Sequence, residues 1–157
     1  MASGLYTRGI RAILRSEVDI WHDLLHVMLI DGSGYTFDPD HEFISSGAGT
    51  VGGNEIPTVA SYAGGYGGAG RKLLANQSII LSDTNNTVGV DGPDLTWTAL
   101  NDGVVGGAAI VFQTGGSDAT SLLIAYIDNA PQFPITTNGG DITIQWSALG
   151  IFLFGNG

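Results

Sequence analysis

Three groups of residues in this sequence have types and spacings that could do chemistry. Gly65-Tyr66-Gly67-Gly68-Ala69-Gly70 is a literal G-x-G-x-x-G, and Arg71 and Lys72 follow at once. Such a run cradles a dinucleotide when a strand precedes it, a helix follows it and an acidic residue lies about 20 positions further on. Residues 60–63 are too short and too Gly-bordered for that strand. The chain after Gly70 soon reads as strand, and Asp83 lies only thirteen residues beyond it. A phosphate-binding Walker loop also fails, because Arg71-Lys72 stands where Lys and then Ser or Thr are needed. The segment therefore reads as a contact loop whose bare backbone can press against a partner.

Asp38, Asp40, His41 and Glu42 are the densest set of possible metal ligands. Calcium loops present oxygens at alternating positions, and only Asp38 and Asp40 keep that spacing, with Pro39 between them. Capping of a short helical turn by Asp38 is the simpler expectation. His22 and His26 stand four apart, as a zinc pair on a helix would, but "DLLHVMLI" reads as strand and no H-E-x-x-H is present. These read as ordinary partly buried histidines. There is no Cys and no nucleophile elbow, and no pair of carboxylates is singled out for glycoside chemistry. The expectation is a chain without catalytic residues, cofactor or metal.

The elements around these residues read as mainly β. Only 13% of residues are charged, while 25 of 157 are Gly, which suits many short strands joined by turns. Residues 4–16 place Leu5, Ile10, Ile13 and Leu14 at helical spacing, with Arg8, Arg11 and Arg15 on another side and Ser3 as a cap. Gly9 weakens that helix. "DLLHVMLID" reads as a buried strand. Residues 44–72 form a long Gly-rich loop, of the kind that binds something or is disordered alone. Residues 73–157 read as strands broken at Asp83-Thr84-Asn85-Asn86, Asp91-Gly92-Pro93, Gly115-Gly116-Ser117-Asp118 and Asn138-Gly139-Gly140. Trp97 and Trp146 fall in strand patterns and read as core. The expected architecture is a single domain over 1–157, an antiparallel β-sandwich or barrel of about seven or eight strands. Residues 1–22 make a helical docking segment before it.

Charge narrows the partners. Five Lys and Arg stand against fifteen Asp and Glu, which excludes nucleic-acid binding through a broad basic face. Three of the five cations are Arg8, Arg11 and Arg15, so the N-terminal segment is the part suited to an acidic partner. No apolar run approaches the length of a membrane span, and the first residues lack the apolar core of a secretory signal. A soluble chain made in the cytoplasm is expected. Tyr62 and Tyr66 in the Gly-rich loop, with Arg71 and Lys72 after them, are the expected loop contacts, since aromatics anchor interfaces.

Taken together, the boxes of this chain resemble a family of small virion proteins of tailed bacteriophages. The similarity begins with the amphipathic "LYTRGIRAILRSEVDI". It continues through Tyr35-Thr36-Phe37-Asp38-Pro39-Asp40-His41-Glu42-Phe43, Glu55-Ile56, the Gly/Tyr segment and "LAN". Asp94-Leu95-Thr96-Trp97-Thr98, "SLLIAYID" and "GGDITIQWSALGIF" complete it. Residues 44–62 are longer and richer in Gly than that pattern. The resemblance implies a structural protein without catalytic residues, located in the virion. Decoration or cement of the capsid is the leading role, with the major capsid protein or other virion proteins as partners and a homo-oligomer on the particle. A neck, tail or fibre-attachment component, or a receptor- or carbohydrate-binding module, are the alternatives.

Overall fold

Long apolar strands alternate little between oily and polar residues when both of their faces are covered. In a computed structural model describing residues 4–31, 34–45, 51–56, 61–101 and 105–155, that is the situation at the centre of the fold. β2 (Leu25–Asp31), β7 (Val105–Gln113) and β8 (Leu122–Ile127) pair antiparallel. β1 (Gly4–Leu5) extends this sheet beyond β8, β3 (Lys72–Leu74) extends it beyond β2, and β9 (Ile135–Thr136) joins the start of β7. A second sheet has the order β11 (Phe152–Gly155), β5 (Thr87–Asp91), β4 (Ser78–Ser82), and a third pairs β10 (Ile142–Ile144) with β6 (Leu95–Trp97). All pairings are antiparallel, and no sheet closes into a barrel among the described residues. The mainly β, sandwich-like expectation holds and the barrel alternative falls away. Among the described residues no helix is long and apolar enough to cross a membrane.

Register decides which residues share a face. Val27 pairs with Val111, which pairs with Ala125, and Leu29 pairs with Ala109, which pairs with Ile127. This row packs with Val90, Trp97, Ile144 and Phe152 of the smaller sheets in the main core. The opposite row carries Met28, Ile30, Ala108, Ile110 and Phe112. Among the described residues no further sheet covers it. Tyr6, Tyr35, Ile44 and Val51 do so from irregular segments, joined by the half-buried Phe37. The hydroxyls there are satisfied internally: Tyr6 bonds Tyr35 at 3.1 Å, and Tyr35 bonds Nδ1 of His41 at 2.7 Å. Burial raises the Tyr6 hydroxyl far above the ordinary tyrosine range, with the Tyr35 bond and charge adding to it.

The turn signals fall where expected, between β4 and β5, β5 and β6, β7 and β8, and β9 and β10. Three segments add detail that the turn signals do not carry. Asp38 caps a single turn, its carbonyl accepting the His41 N–H at 3.2 Å, but no helix continues from it. Asp38 accepts the Asp40 N–H at 2.9 Å, as an Asx turn does, and residues 42–44 then run beside 121–123, with Leu123 N–H to Glu42 O at 2.9 Å. The described parts of the long loop are folded against the sheet, with Val51, Ile56 and Tyr62 fully buried. "RKLLANQSIILSD" is two strands, because Asn76 takes a positive φ between them.

The N-terminal helix is shorter than its sequence reading, and only part of the expected apolar set packs inward: Leu5 and Ile13 lie against the main core. α1 covers Thr7–Leu14 with Tyr6 as N-cap, and the proposed cap Ser3 lies outside the described residues. Its buried residues are Gly9 and Ala12, whereas Leu14 is 78% exposed. Gly9 is there for contact: a Cβ at that position would strike the Leu123 carbonyl oxygen and lie 3.0 Å from Cα of Ile124 in β8. Backbone cannot give way as a side-chain end can. Gly9→Ala is therefore expected to lift α1 from the sheet and cost about 1–3 kcal/mol of stability in urea unfolding. Arg8→Ala, one residue away and exposed, should stay within about 0.5 kcal/mol.

Candidate functional site

The Gly-rich loop answers its own sequence puzzle. Gly65 and Gly67 adopt φ of +80° and +73°. The Gly70 N–H bonds Ala63 O at 2.9 Å, and the Gly68 N–H bonds Gly65 O at 3.0 Å. A Cβ on Gly70 would lie 2.9 Å from both Ala63 O and the Tyr62 ring. The glycines are needed so that the loop can fold tightly on itself. No helix follows Gly70. β3 does, and Gly70 O accepts the Trp97 indole N–H at 2.6 Å.

The loop closes over Arg71, which is 7% exposed. Its guanidinium meets Glu55 through two hydrogen bonds, Nε to Oε1 at 2.9 Å and Nη2 to Oε2 at 2.7 Å. On its other side it meets Asp118, through Nη1 to Oδ1 and Nη2 to Oδ2, the latter at 3.1 Å. Phe112 lies under it, 5.5 Å from ring centroid to Cζ. Burial alone would favour the neutral form, but the bonds to Glu55 and Asp118 and their charges outweigh it and raise the Arg71 pKa. Glu55 also accepts the Tyr62 hydroxyl at 3.1 Å and the Gly65 N–H at 2.9 Å. The same Tyr62 oxygen accepts the Leu29 N–H at 3.2 Å. Paired, fork-shaped bonding is what makes a buried arginine tolerable.

Beside this cluster is a small cavity of about 310 Å³, bordered by His26, Tyr66, Arg71, Phe112 and Thr114. Tyr66 stands at its mouth, 52% exposed, with its hydroxyl donating to Gly115 O at 2.9 Å. His26 Nδ1 bonds the Thr114 hydroxyl at 2.6 Å, and its ring stacks on Phe112. Burial depresses the His26 pKa, and the Arg71 charge adds to that. The cavity offers an aromatic wall, a neutral imidazole and backbone, while the Arg71 charge is already taken up by carboxylates.

A second concave surface, about 670 Å³, lies where β1 and α1 approach the C-terminal strands. Leu5, Ile10, Ile127, Trp146, Ile151 and Phe152 are among the residues that line it. Arg8 and Arg11 flank Ile10 in sequence. Both are exposed and form no ion pair among the described residues. Arg15 is exposed too, but Glu17 sits 2.8 Å from it and offsets its charge.

The expected contact residues thus divide. Arg8, Arg11, Arg15 and Tyr66 are at the surface, and Lys72 is half-buried at the start of β3. Tyr62 and Arg71 are buried with their polar groups bonded inside, so the expectation that they touch a partner is corrected: they shape the loop that presents Tyr66. The two halves of the expected surface, helix and loop, border different cavities. His22 and His26 do not converge. His22 is exposed and bonds Asp19 at 2.7 Å, against the expectation of partial burial. Among the described residues no three His, Asp or Glu are grouped as a metal site. The residues that sequence reasoning missed are Glu55 and Asp118. Their only signal is indirect: an arginine embedded in a Gly-rich, apolar stretch needs carboxylates from elsewhere in the chain.

Comparison with known protein families, with curated proteins and with solved structures gave no match.

Two outcomes are expected from this geometry. Arg71→Met keeps the apolar stem but leaves two carboxylates facing each other without a cation, and should cost about 3–5 kcal/mol in chemical denaturation. A loss under about 1 kcal/mol would show that the cluster does not hold the loop. His26 is the pH-dependent element. Its folded pKa lies below its unfolded value of about 6.5, so the unfolded chain binds the proton first. Its contribution is complete above about pH 6.5 and is lost as pH falls toward the folded pKa. His26→Gln should flatten the dependence of the unfolding midpoint on pH across that window.

Proposed function

We propose that the protein is a non-enzymatic structural component of a tailed-bacteriophage particle, and that it decorates or cements the shell by binding the lattice of the major capsid protein. One observation carries the docking part of this reading: the segregation of charge. The chain has a formal net charge of -10, yet α1 exposes Arg8 and Arg11, with Arg15 just past its end, next to an apolar groove. An anionic body with a single cationic edge orients itself on an acidic surface, because only that edge is attracted. The resemblance of the sequence boxes to small phage virion proteins supplies the identity of the surface. The protein would be made in the host cytoplasm and reside in the virion, as a homo-oligomer, without cofactor, nucleic acid or membrane.

Symmetry amplifies weak contacts. Each exposed ion pair is worth only about 0.2–1 kcal/mol, so three together change affinity by about one order of magnitude. Repetition across a shell makes that decisive. Quantitative protein analysis of purified particles should find hundreds of copies, on the order expected for an icosahedral lattice. About six to twelve copies would instead place the protein at the neck, tail or fibre base. Absence from the particle would overturn the reading in favour of a receptor- or carbohydrate-binding module. Replacing Arg8, Arg11 and Arg15 together by Ala should lower incorporation about tenfold. Unchanged incorporation would remove the helix from the docking surface.

A further inference from the structure

Among the described residues, the outer edge of β4 is an apolar feature without cover. In the second sheet, Ile79 pairs with Val90, which pairs with Phe152, and Leu81 pairs with Val88, which pairs with Phe154. Directly paired residues point to the same side of an antiparallel sheet, so each trio is a row on one face. Val90 and Phe152 are buried in the main core. At the β4 end the rows run out into water: Ile79 is 46% exposed and Leu81 69%. Among the described residues no strand pairs with the outer side of β4.

Natural sheets guard such an edge with Lys, Pro, a bulge or an inward-pointing charge. β4 has none of these. Its sequence is Ser78-Ile79-Ile80-Leu81-Ser82, and its pairing with β5 shows no register shift. The strand is also close to a palindrome. Turned antiparallel to itself about Ile80, it sets Ser78 against Ser82, Ile79 against Leu81 and Ile80 against Ile80. One residue beyond on each side, Asp83 meets the Gln77 amide of the other copy instead of a second carboxylate. A two-fold interface demands this kind of self-complementarity. In a chain of net charge -10, an uncharged edge is where two copies approach with least repulsion.

We propose that β4 pairs with β4 of a second copy, antiparallel and centred on Ile80, to form a continuous six-stranded sheet across a two-fold axis. Each apolar row then continues from Phe152, Val90 and Ile79 of one copy into Leu81, Val88 and Phe154 of the other. The exposed aliphatic side chains are covered by each other. Five residues per strand make a small interface beside the 1,200–2,000 Å² of typical stable complexes (~1,600 Å² on average), so the dimer dissociates on dilution and is favoured wherever copies are concentrated. The proposal does not depend on the virion reading, and it is tested on the purified chain alone.

Sedimentation velocity from about 10 µM to about 1 mM should show the wild-type chain moving from monomer toward dimer. Leu81→Lys, at a surface position that the monomer does not need, should remain monomeric. Trp21→Lys, exposed on a different segment, should behave as wild type. A wild-type chain that stays monomeric throughout, or a Leu81→Lys chain that dimerises equally well, overturns the proposal. Register has its own test, since the chain contains no Cys. Opposed residues of an antiparallel pair have Cα atoms about 4.5–5.5 Å apart, within disulfide reach. Mild oxidation should therefore crosslink Ile80→Cys into a covalent dimer and leave Ser78→Cys, whose opposite residue is Ser82, largely uncrosslinked. Failure of Ile80→Cys to crosslink, or equal crosslinking of both, overturns the centred register.

Discussion

The constraint on which this fold depends is a central sheet that is apolar on both faces. β2, β7 and β8 carry one row of side chains into the main core and another row out the far side. The smaller sheets cover the first. Among the described residues no sheet covers the second, and the segments around Tyr6, Tyr35, Ile44 and Val51 do so. Irregular backbone brings unpaired polar groups with it, and these need partners wherever they are buried. The chain Tyr6–Tyr35–His41 and the bonds between residues 42–44 and 121–123 supply them. Ile44 and Val51, which read as long loop in sequence, belong in the folded chain to a covering layer.

The Arg71 cluster does for the Gly-rich segment what that layer does for the sheet. A tightly turned loop with so many glycines loses much conformational freedom on folding, and it has few side chains with which to offset the loss. Arg71 concentrates the offset at one point. Two carboxylates, one aromatic ring and a network through Tyr62 to the backbone of β2 all meet its guanidinium or its partners. Tyr66 is then presented outward from a fixed base, with its own hydroxyl tied to Gly115.

How much was legible beforehand follows from which interactions are local. Turns written in Asn, Asp and Gly are local, and each fell where the sequence put it. So did the long strands, whose apolar runs exceed any loop's. The helix was legible in part: Leu5 and Ile13 pack inward as helical periodicity implies, but the closest approach is made by Gly9 and Ala12, which a count of large apolar residues overlooks. Tyr62 and Arg71 misled for a related reason. Tyrosine and arginine beside glycines suit an exposed loop and a buried one equally well, and what decides is the position of Glu55 and Asp118. Those are 16 and 47 residues from Arg71, beyond any local pattern. The charged face of α1 was readable because no carboxylate among the described residues pairs with Arg8 or Arg11.

Those separations also make the Arg71 cluster a long-range one. Asp118 lies in the connection between β7 and β8, so it can meet Arg71 only where that hairpin stands beside β2. Joining the ends of a 47-residue segment carries a larger entropic penalty than closing the β4–β5 turn, though the penalty grows only slowly with length. The clamp therefore ties the loop to the sheet: Arg71 has both of its carboxylates only where the β7–β8 connection stands beside β2, so the shape that presents Tyr66 belongs to the assembled sheet and not to the loop's own sequence.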